Sequence, residues 1–292
     1  MQKIKFVTDS ISDITKADEK KLGIKIMSIP VEIDKSVRLE RLDFSPDEFY
    51  RTMDNSKTEI SVSSVPANEI LDLYNELYSE GWTDVIFVTA SSSKSGTYRN
   101  ALTAAQKFKE NVHTKDRLAM RIFVIDSRSY SAAYGYAVVQ AALLAQKGAT
   151  PDELLDFIHD YVDNCELYLL PLTFKNIKKA EIVTSAAAFF GKMLKKYPVI
   201  KAYDGLLSSS EKIHGEKNII PGFSEYVQRI AEAGTPYTIL CGSNRKAAED
   251  LATELRNRLG YPPESIVKFS AALACIIGHN SLGIAVHKTR HK

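Results

Sequence analysis

The sequence has few cysteines, a single tryptophan, almost no net charge and no long apolar run, and each shortage excludes a class of protein. Cys165, Cys241 and Cys275 lie far apart in apolar surroundings. That spacing excludes a disulfide framework or a zinc ribbon and reads as core thiols. No stretch approaches the roughly 18 apolar residues of a membrane helix, and Met1 to Val7 lacks the apolar core of a signal peptide, so the expectation is a cytoplasmic protein with no integral membrane segment. A formal net charge of +2, with no basic cluster interleaved with aromatics, argues against a nucleic-acid partner. Walker A, dinucleotide-binding, Gly-x-Ser-x-Gly and His-Glu-x-x-His patterns are all missing, and nothing calls for a cofactor, a metal or a catalytic centre.

What is present is an ordinary globular composition, 45% apolar and 25% charged over 292 residues, enough for two cores. The first half alternates apolar strands and amphipathic helices: strand 4–7, an extended piece 25–33, helix 66–80, strand 85–89, helix 96–109, strand 121–125, helix 131–147 and helix 152–163. That rhythm predicts an α/β unit with a parallel sheet. Ala149-Thr150-Pro151-Asp152-Glu153 caps the last of these helices. The boundary is placed after it, giving an N-terminal α/β domain over 1–163 and a C-terminal α+β domain over 164–292. The second part reads as strands 166–170, 199–202, 237–241, 265–269 and 284–287 with helices 184–195, 219–233 and 244–259, a mixed or antiparallel sheet. Asp204-Gly205 marks a turn between two strands. Lys175 to Lys179 reads as an exposed loop.

Chemistry concentrates at strand ends. Val85 to Ala101 runs from an apolar strand through a turn bearing Ser91, Ser92, Ser93 and Ser95 into a helix that starts near Gly96 and Thr97. Hydroxyls and helix N-terminal N–H groups together can hold an anion. Thr8, Asp9 and Ser10 end the first strand in the same way, and in a parallel sheet both ends share one edge. Ser63 and Ser64 precede Pro66, where the spacing predicts hydroxyls at the N-cap of the next helix. Among six histidines only His279, followed by Asn280, adjoins glycine in a binding-type turn. The residues alone leave open whether these groups bind a ligand or serve as solvated loops and caps.

Taken together, Phe6-Val7-Thr8-Asp9-Ser10, Ile29-Pro30-Val31, Ser63-Ser64-Val65-Pro66-Ala67, Ser91-Ser92-Ser93-Lys94-Ser95-Gly96-Thr97-Tyr98, Val124-Ile125-Asp126-Ser127 and Gly278-His279 resemble the DegV family in order and spacing. The resemblance spans nearly the whole chain. It implies a two-domain protein that binds one long-chain fatty acid, its carboxylate held by the hydroxyls of the second and third motifs. By motif the head-group residues are Ser63, Ser64, Ser91, Ser92, Gly96, Thr97, His279 and Asn280, with Thr8, Asp9, Ser10 and His214 near them. Leu169, Leu170, Leu172, Phe174, Ala187, Phe189, Phe190, Met193 and Leu194 could line a tunnel for the tail. Burying about fifteen methylenes of a chain of about C14 to C18 offers on the order of 10 kcal/mol before binding entropy.

The resemblance also implies that the bound acid is presented to a separate fatty acid kinase catalytic subunit, so that this protein would not itself be the catalyst. The chain departs from the family at charged positions. Ala180-Glu181-Ile182 stands for Gly-Gly-Arg, His214 for an arginine, Val65 for a glutamine, and Asn280-Ser281-Leu282-Gly283 follows His279 in place of x-Gly-Pro-Gly. Loss of positive groups bears more on acyl-phosphate handling than on carboxylate binding. Two alternatives stand beside the lipid reading. One is a small-substrate hydrolase or phosphotransferase with Ser92 as nucleophile and His279 as base; the other is a regulatory protein without a ligand.

Overall fold

In the computed structural model, which describes residues 2–55, 57–112, 120–173 and 196–288, the elements of the first half are β1 (Ile4–Asp9), α1 (Lys16–Leu22), β2 (Lys25–Met27), β3 (Pro30–Ile33), β4 (Ser36–Leu39), α2 (Pro46–Asp54), β5 (Ile60–Val62), α3 (Ala67–Ser79), β6 (Asp84–Thr89), α4 (Thr97–Asn111), β7 (Arg121–Asp126), α5 (Ala132–Gln146) and α6 (Pro151–Asn164). The second half adds β8 (Cys165–Pro171), β9 (Lys196–Tyr203), β10 (Leu206–His214), α7 (Ile219–Ile230), β11 (Tyr237–Cys241), α8 (Arg245–Leu259), β12 (Ser265–Lys268), α9 (Ala271–Ile277) and β13 (Ser281–His287).

The expected parallel sheet is present, in the order β2-β1-β6-β7. All six residues of β6 are buried, as a central strand covered on both faces requires. The second sheet is mixed, in the order β10-β9-β8-β13-β11-β12, with β11 and β12 the parallel pair. Between the sheets lies α5, which touches β1 of one and β8, β11 and β13 of the other. Its sequence, AAYGYAVVQAALLAQ, has no polar face because it is enclosed along most of its length, with Gln146 at its end the exposed residue. Gly135 lets it come close: a Cβ there would overlap the Ser12 carbonyl. The larger apolar core therefore runs from Phe6 and Val88 through Tyr134 to Leu167, Leu169 and Leu240. A second core, around Phe223, Ile239 and Leu251, fills the other face of the six-stranded sheet beneath α7 and α8.

Three expectations need correction. The piece at 25–33 is not one strand but β2 and β3 in different sheets, because β3 joins β4 and β5 in a small antiparallel sheet. The helices α1, α2 and α9 occupy segments read as connections. The α2 start carries a signal for it, since Ser45-Pro46-Asp47-Glu48 forms the same reciprocal capping box as Thr150 and Glu153. Finally, the hydroxyls before α3 do not cap it: the N-cap is Pro66, with no side-chain bond. The Asp204-Gly205 turn is found as expected, with φ of 48° and 74° at its two residues, the pair of left-handed values a tight hairpin needs. The helix expected at 184–195, the loop at 175–179 and the tunnel candidates Phe174, Ala187, Phe189, Phe190, Met193 and Leu194 lie outside the described residues. Among the described residues no helix is long and apolar enough to cross a membrane.

Candidate functional site

Parallel pairing of β1 with β6 brings the two hydroxyl-bearing ends side by side, and they are used differently. At the end of β1, Asp9 is fully buried and its carboxylate accepts from Ile11 N at 3.2 Å, Ala90 N at 2.8 Å and Tyr134 OH at 2.5 Å. It thereby ties β1 to the start of the serine turn and to α5. Burial pushes its pKa up to about 6, against those three donors. Ser10 accepts from Ile29 N at 3.0 Å and donates to Glu40 Oε2 at 2.5 Å, and Thr8 is buried within the strand. Asp9 and Ser10 brace this end of the sheet.

The serine turn after β6 is divided. Ser91 is buried and shares a 2.9 Å hydrogen bond with Ser93, which donates to the Gly205 carbonyl at 2.6 Å. Tyr130 donates to the same carbonyl at 3.1 Å, and Gly205 N donates to Arg128 O at 2.6 Å. The tip of the β9–β10 hairpin is thus docked on the turn, so closely that a Cβ at residue 205 would overlap both serine hydroxyls. Ser92 points elsewhere. Its backbone N donates to Asp126 Oδ1 at 3.0 Å, its side chain is exposed, and its hydroxyl has no partner among the described residues.

The residues before α3 meet the start of α4 directly. Ser64 Oγ accepts from Gly96 N at 2.7 Å, Val65 N donates to Thr97 Oγ1 at 3.2 Å, and Asn100 Nδ2 donates to Val65 O at 2.8 Å. Buried Thr97 also accepts from Ser95 at 3.1 Å. A side chain at residue 96 would press on Ser64 Oγ at 3.1 Å, which accounts for the glycine. This frame holds Ser63 beside it with an exposed hydroxyl that has no partner among the described residues, while Ser63 N is fixed by Pro30 O at 2.9 Å. Because Ser64 uses its oxygen as acceptor, its own proton remains available to an anion.

His279 lies between α9 and β13. Its ring stacks on Tyr50 at 5.6 Å, with Nδ1 3.0 Å from Ser243 Oγ and Nε2 2.9 Å from Asp54 Oδ1. Both nitrogens are engaged, and neither partner is Ser92. Asn280 offers a buried Oδ1 without a partner among the described residues and accepts Leu172 N on its carbonyl. α9 packs against β5, the strand that leads into Ser63. His214 is not brought to the serines: it ends β10, whose first residues follow the docked hairpin tip, and eight residues of strand separate the two by roughly 25 Å.

Glu40, Asp13, Asp54 and Ser243 join these networks without a sequence signal of their own. Glu40 is buried, accepts from Ser10 and from the Ala271 N–H at the start of α9, and is pushed up to about 7 by burial. Asp13, also buried, accepts from Ser131, and burial raises its pKa well above the usual carboxylate range. No local pattern marks these groups, since their partners come from distant segments. Among the described residues no group of three or more His, Cys, Asp or Glu converges as a metal would require.

A family profile described as "Uncharacterised protein, DegV family" matches residues 3–289. A DegV domain-containing protein of Clostridium perfringens is 29% identical over 97% of this chain and 98% of its own length. Of solved structures, one described as fatty acid binding of a DegV family protein from Thermus thermophilus superposes with a TM-score of 0.85 at 22% identity, covering 99% of this chain and all of that one. Another, described as a stearic-acid-binding protein from Eubacterium ventriosum, gives 0.84 at 18% identity and covers 99% and 98% of the two chains.

Proposed function

Because the chain belongs to the DegV family, we propose that it binds one long-chain fatty acid, of about C14 to C18, and carries it without transforming it. The observation that bears most on this reading is the pair of exposed hydroxyls without partners among the described residues, Ser63 and Ser92, on backbone that is itself fixed: Ser63 N by Pro30 O, its neighbours by Gly96 and Thr97, and Ser92 N by Asp126. A carboxylate accepts from such donors without a full counter-charge, helped by the N-terminal end of α4. Ser64 supplies a third proton, with Gly96 and Thr97 as its support. His279 would join only by exchanging the Asp54 carboxylate for that of the ligand, and Asn280 stands next to it.

In this reading residues 1–163 form the head-group lobe and 164–292 contribute the acyl pocket, including Leu169, Leu170, Phe189 and Phe190. The relatives described as fatty-acid binding support the ligand class. The location is the cytoplasm, and the consumer of the bound acid is a separate fatty acid kinase subunit that phosphorylates the carboxylate. The Ser92–His279 hydrolase reading has no geometric support, since both imidazole nitrogens have other partners.

Native mass spectrometry of the purified protein, followed by solvent extraction, tests the proposal. One equivalent of a long-chain fatty acid, or its uptake when palmitate or oleate is added, is the expected result. Protein that stays empty under both conditions would refute it.

A further inference from the structure

His279 does have a serine on it, and that serine is Ser243. Asp54 ends α2, Ser243 occupies the turn between β11 and α8, and His279 follows α9, so three distant segments meet in one hydrogen-bonded chain. The order of protons follows from the acceptor-only carboxylate. In the neutral ring Nε2 carries the hydrogen that Asp54 accepts at 2.9 Å, leaving the Nδ1 lone pair for the Ser243 hydroxyl at 3.0 Å. Tyr50 fixes the plane of the ring, and its own hydroxyl donates to Phe269 O at 2.5 Å. Ser243 N donates to His279 O at 2.8 Å, which locks the two residues in register, whereas the alternative acceptor for the Ser243 hydroxyl, that same carbonyl, is 3.4 Å away.

The setting suits a nucleophile. Ser243 is exposed while His279 is 9% accessible, so an acyl group can reach the serine but the base is shielded. Gly242, just before it, runs so close to the His279 carbonyl that no side chain would fit. Ser243 lies in a strand-to-helix turn, and the next residue, Asn244, is the N-cap of the fifteen-residue α8. The Asn244 N–H has no acceptor among the described residues.

We propose that Ser243, His279 and Asp54 form a serine acyl-transfer centre for activated acyl oxyesters or thioesters, distinct from the head-group hydroxyls at Ser63 and Ser92. Ser243 Oγ bonds to the acyl carbonyl carbon as His279 Nδ1 takes the hydroxyl proton. The tetrahedral adduct collapses with cleavage of the carbon–oxygen or carbon–sulfur bond, and the departing alcohol or thiol takes that proton. Water then attacks the acyl-serine, passes a proton through Nδ1 back to Oγ, and leaves as the carboxylic acid. Asp54 is a positioning residue that orients the ring and stabilises it when charged.

The full chain treated with a fluorophosphonate gives a direct test. A phosphonyl adduct mapped to Ser243 is expected, together with hydrolysis of p-nitrophenyl octanoate. Ser243→Ala and His279→Gln should lower kcat by about a thousandfold or more. Asp54→Asn should lower kcat about tenfold at unchanged KM, a smaller effect than for a buried carboxylate because Asp54 is exposed, and Asp54→Glu should restore part of it. Wild-type protein without an adduct at Ser243, or ester hydrolysis undiminished in Ser243→Ala, would overturn the proposal. Fatty-acid uptake is read on the wild-type and Ser243→Ala samples, since His279 also belongs to the head-group reading, so failure of either reading does not hide the other.

Discussion

The two strand ends that carry hydroxyl motifs are neighbours in one parallel sheet, yet one is spent on the fold and the other left open. At the end of β1 every polar group named above has been drawn into the interior: Asp9 serves three donors, and Ser10 bridges Ile29 to Glu40. After β5 and β6 the inner hydroxyls, Ser91, Ser93 and Thr97, are bonded to protein groups, while Ser63 and Ser92 face outward. The difference teaches that a hydroxyl-rich strand end is not a site in itself. It becomes one where a second layer of hydrogen bonds fixes the backbone and leaves selected side chains over.

Substitutions at the buried and at the exposed hydroxyl-rich ends should differ in their effect on stability. The largest effect is expected at Asp9: alanine would leave Ile11 N, Ala90 N and the Tyr134 hydroxyl without their acceptor in a dry interior, a cost of about 3 kcal/mol or more in urea unfolding. Next comes Gly205→Ala, where a left-handed backbone and the overlap with Ser91 and Ser93 combine to about 2 kcal/mol and should loosen the hairpin in hydrogen exchange.

A third test uses pH. Asp9 and Glu40 are raised by burial to about 6 and about 7 from 3.8 and 4.5, so the folded protein holds their protons more tightly than the unfolded chain does. Their contribution is complete below the unfolded values and is lost as pH climbs through the folded ones. Stability should therefore decline between about pH 4 and 7, with a slope approaching 1.4 kcal/mol per pH unit for each of these two groups, and buried Asp13, raised in the same direction, adds to the decline. Glu40→Gln should flatten the upper part of that slope; an unchanged profile would remove Glu40 from the account. The smallest effect on stability is expected from Ser63→Ala and Ser92→Ala, each within about 0.5 kcal/mol because neither hydroxyl has a partner to lose among the described residues.

Much of the framework was legible because local signals carried it. β6, the turn and α4 stand out by a change of apolar period, the Asp204-Gly205 hairpin by its residue types, and α6 by its capping box. The parts without a local signal depend on long-range partners. Ser64 looks like a helix cap until the Gly96 N–H arrives from 32 residues away, and nothing near Glu40 announces that it will meet the start of α9. The same holds for Asp54 and His279, separated by 225 positions. The strands of the small sheet are three or four residues long, too short to display an alternation.

In the proposed function Ser63 and Ser92 donate to the head group, and among the described residues to nothing else. Titration calorimetry of palmitate into delipidated wild-type protein and the Ser63→Ala/Ser92→Ala double variant tests it most directly. The predicted result is a loss of affinity of about a hundredfold, two charge-assisted hydrogen bonds, at an unchanged melting temperature. Full affinity in the double variant would contradict it.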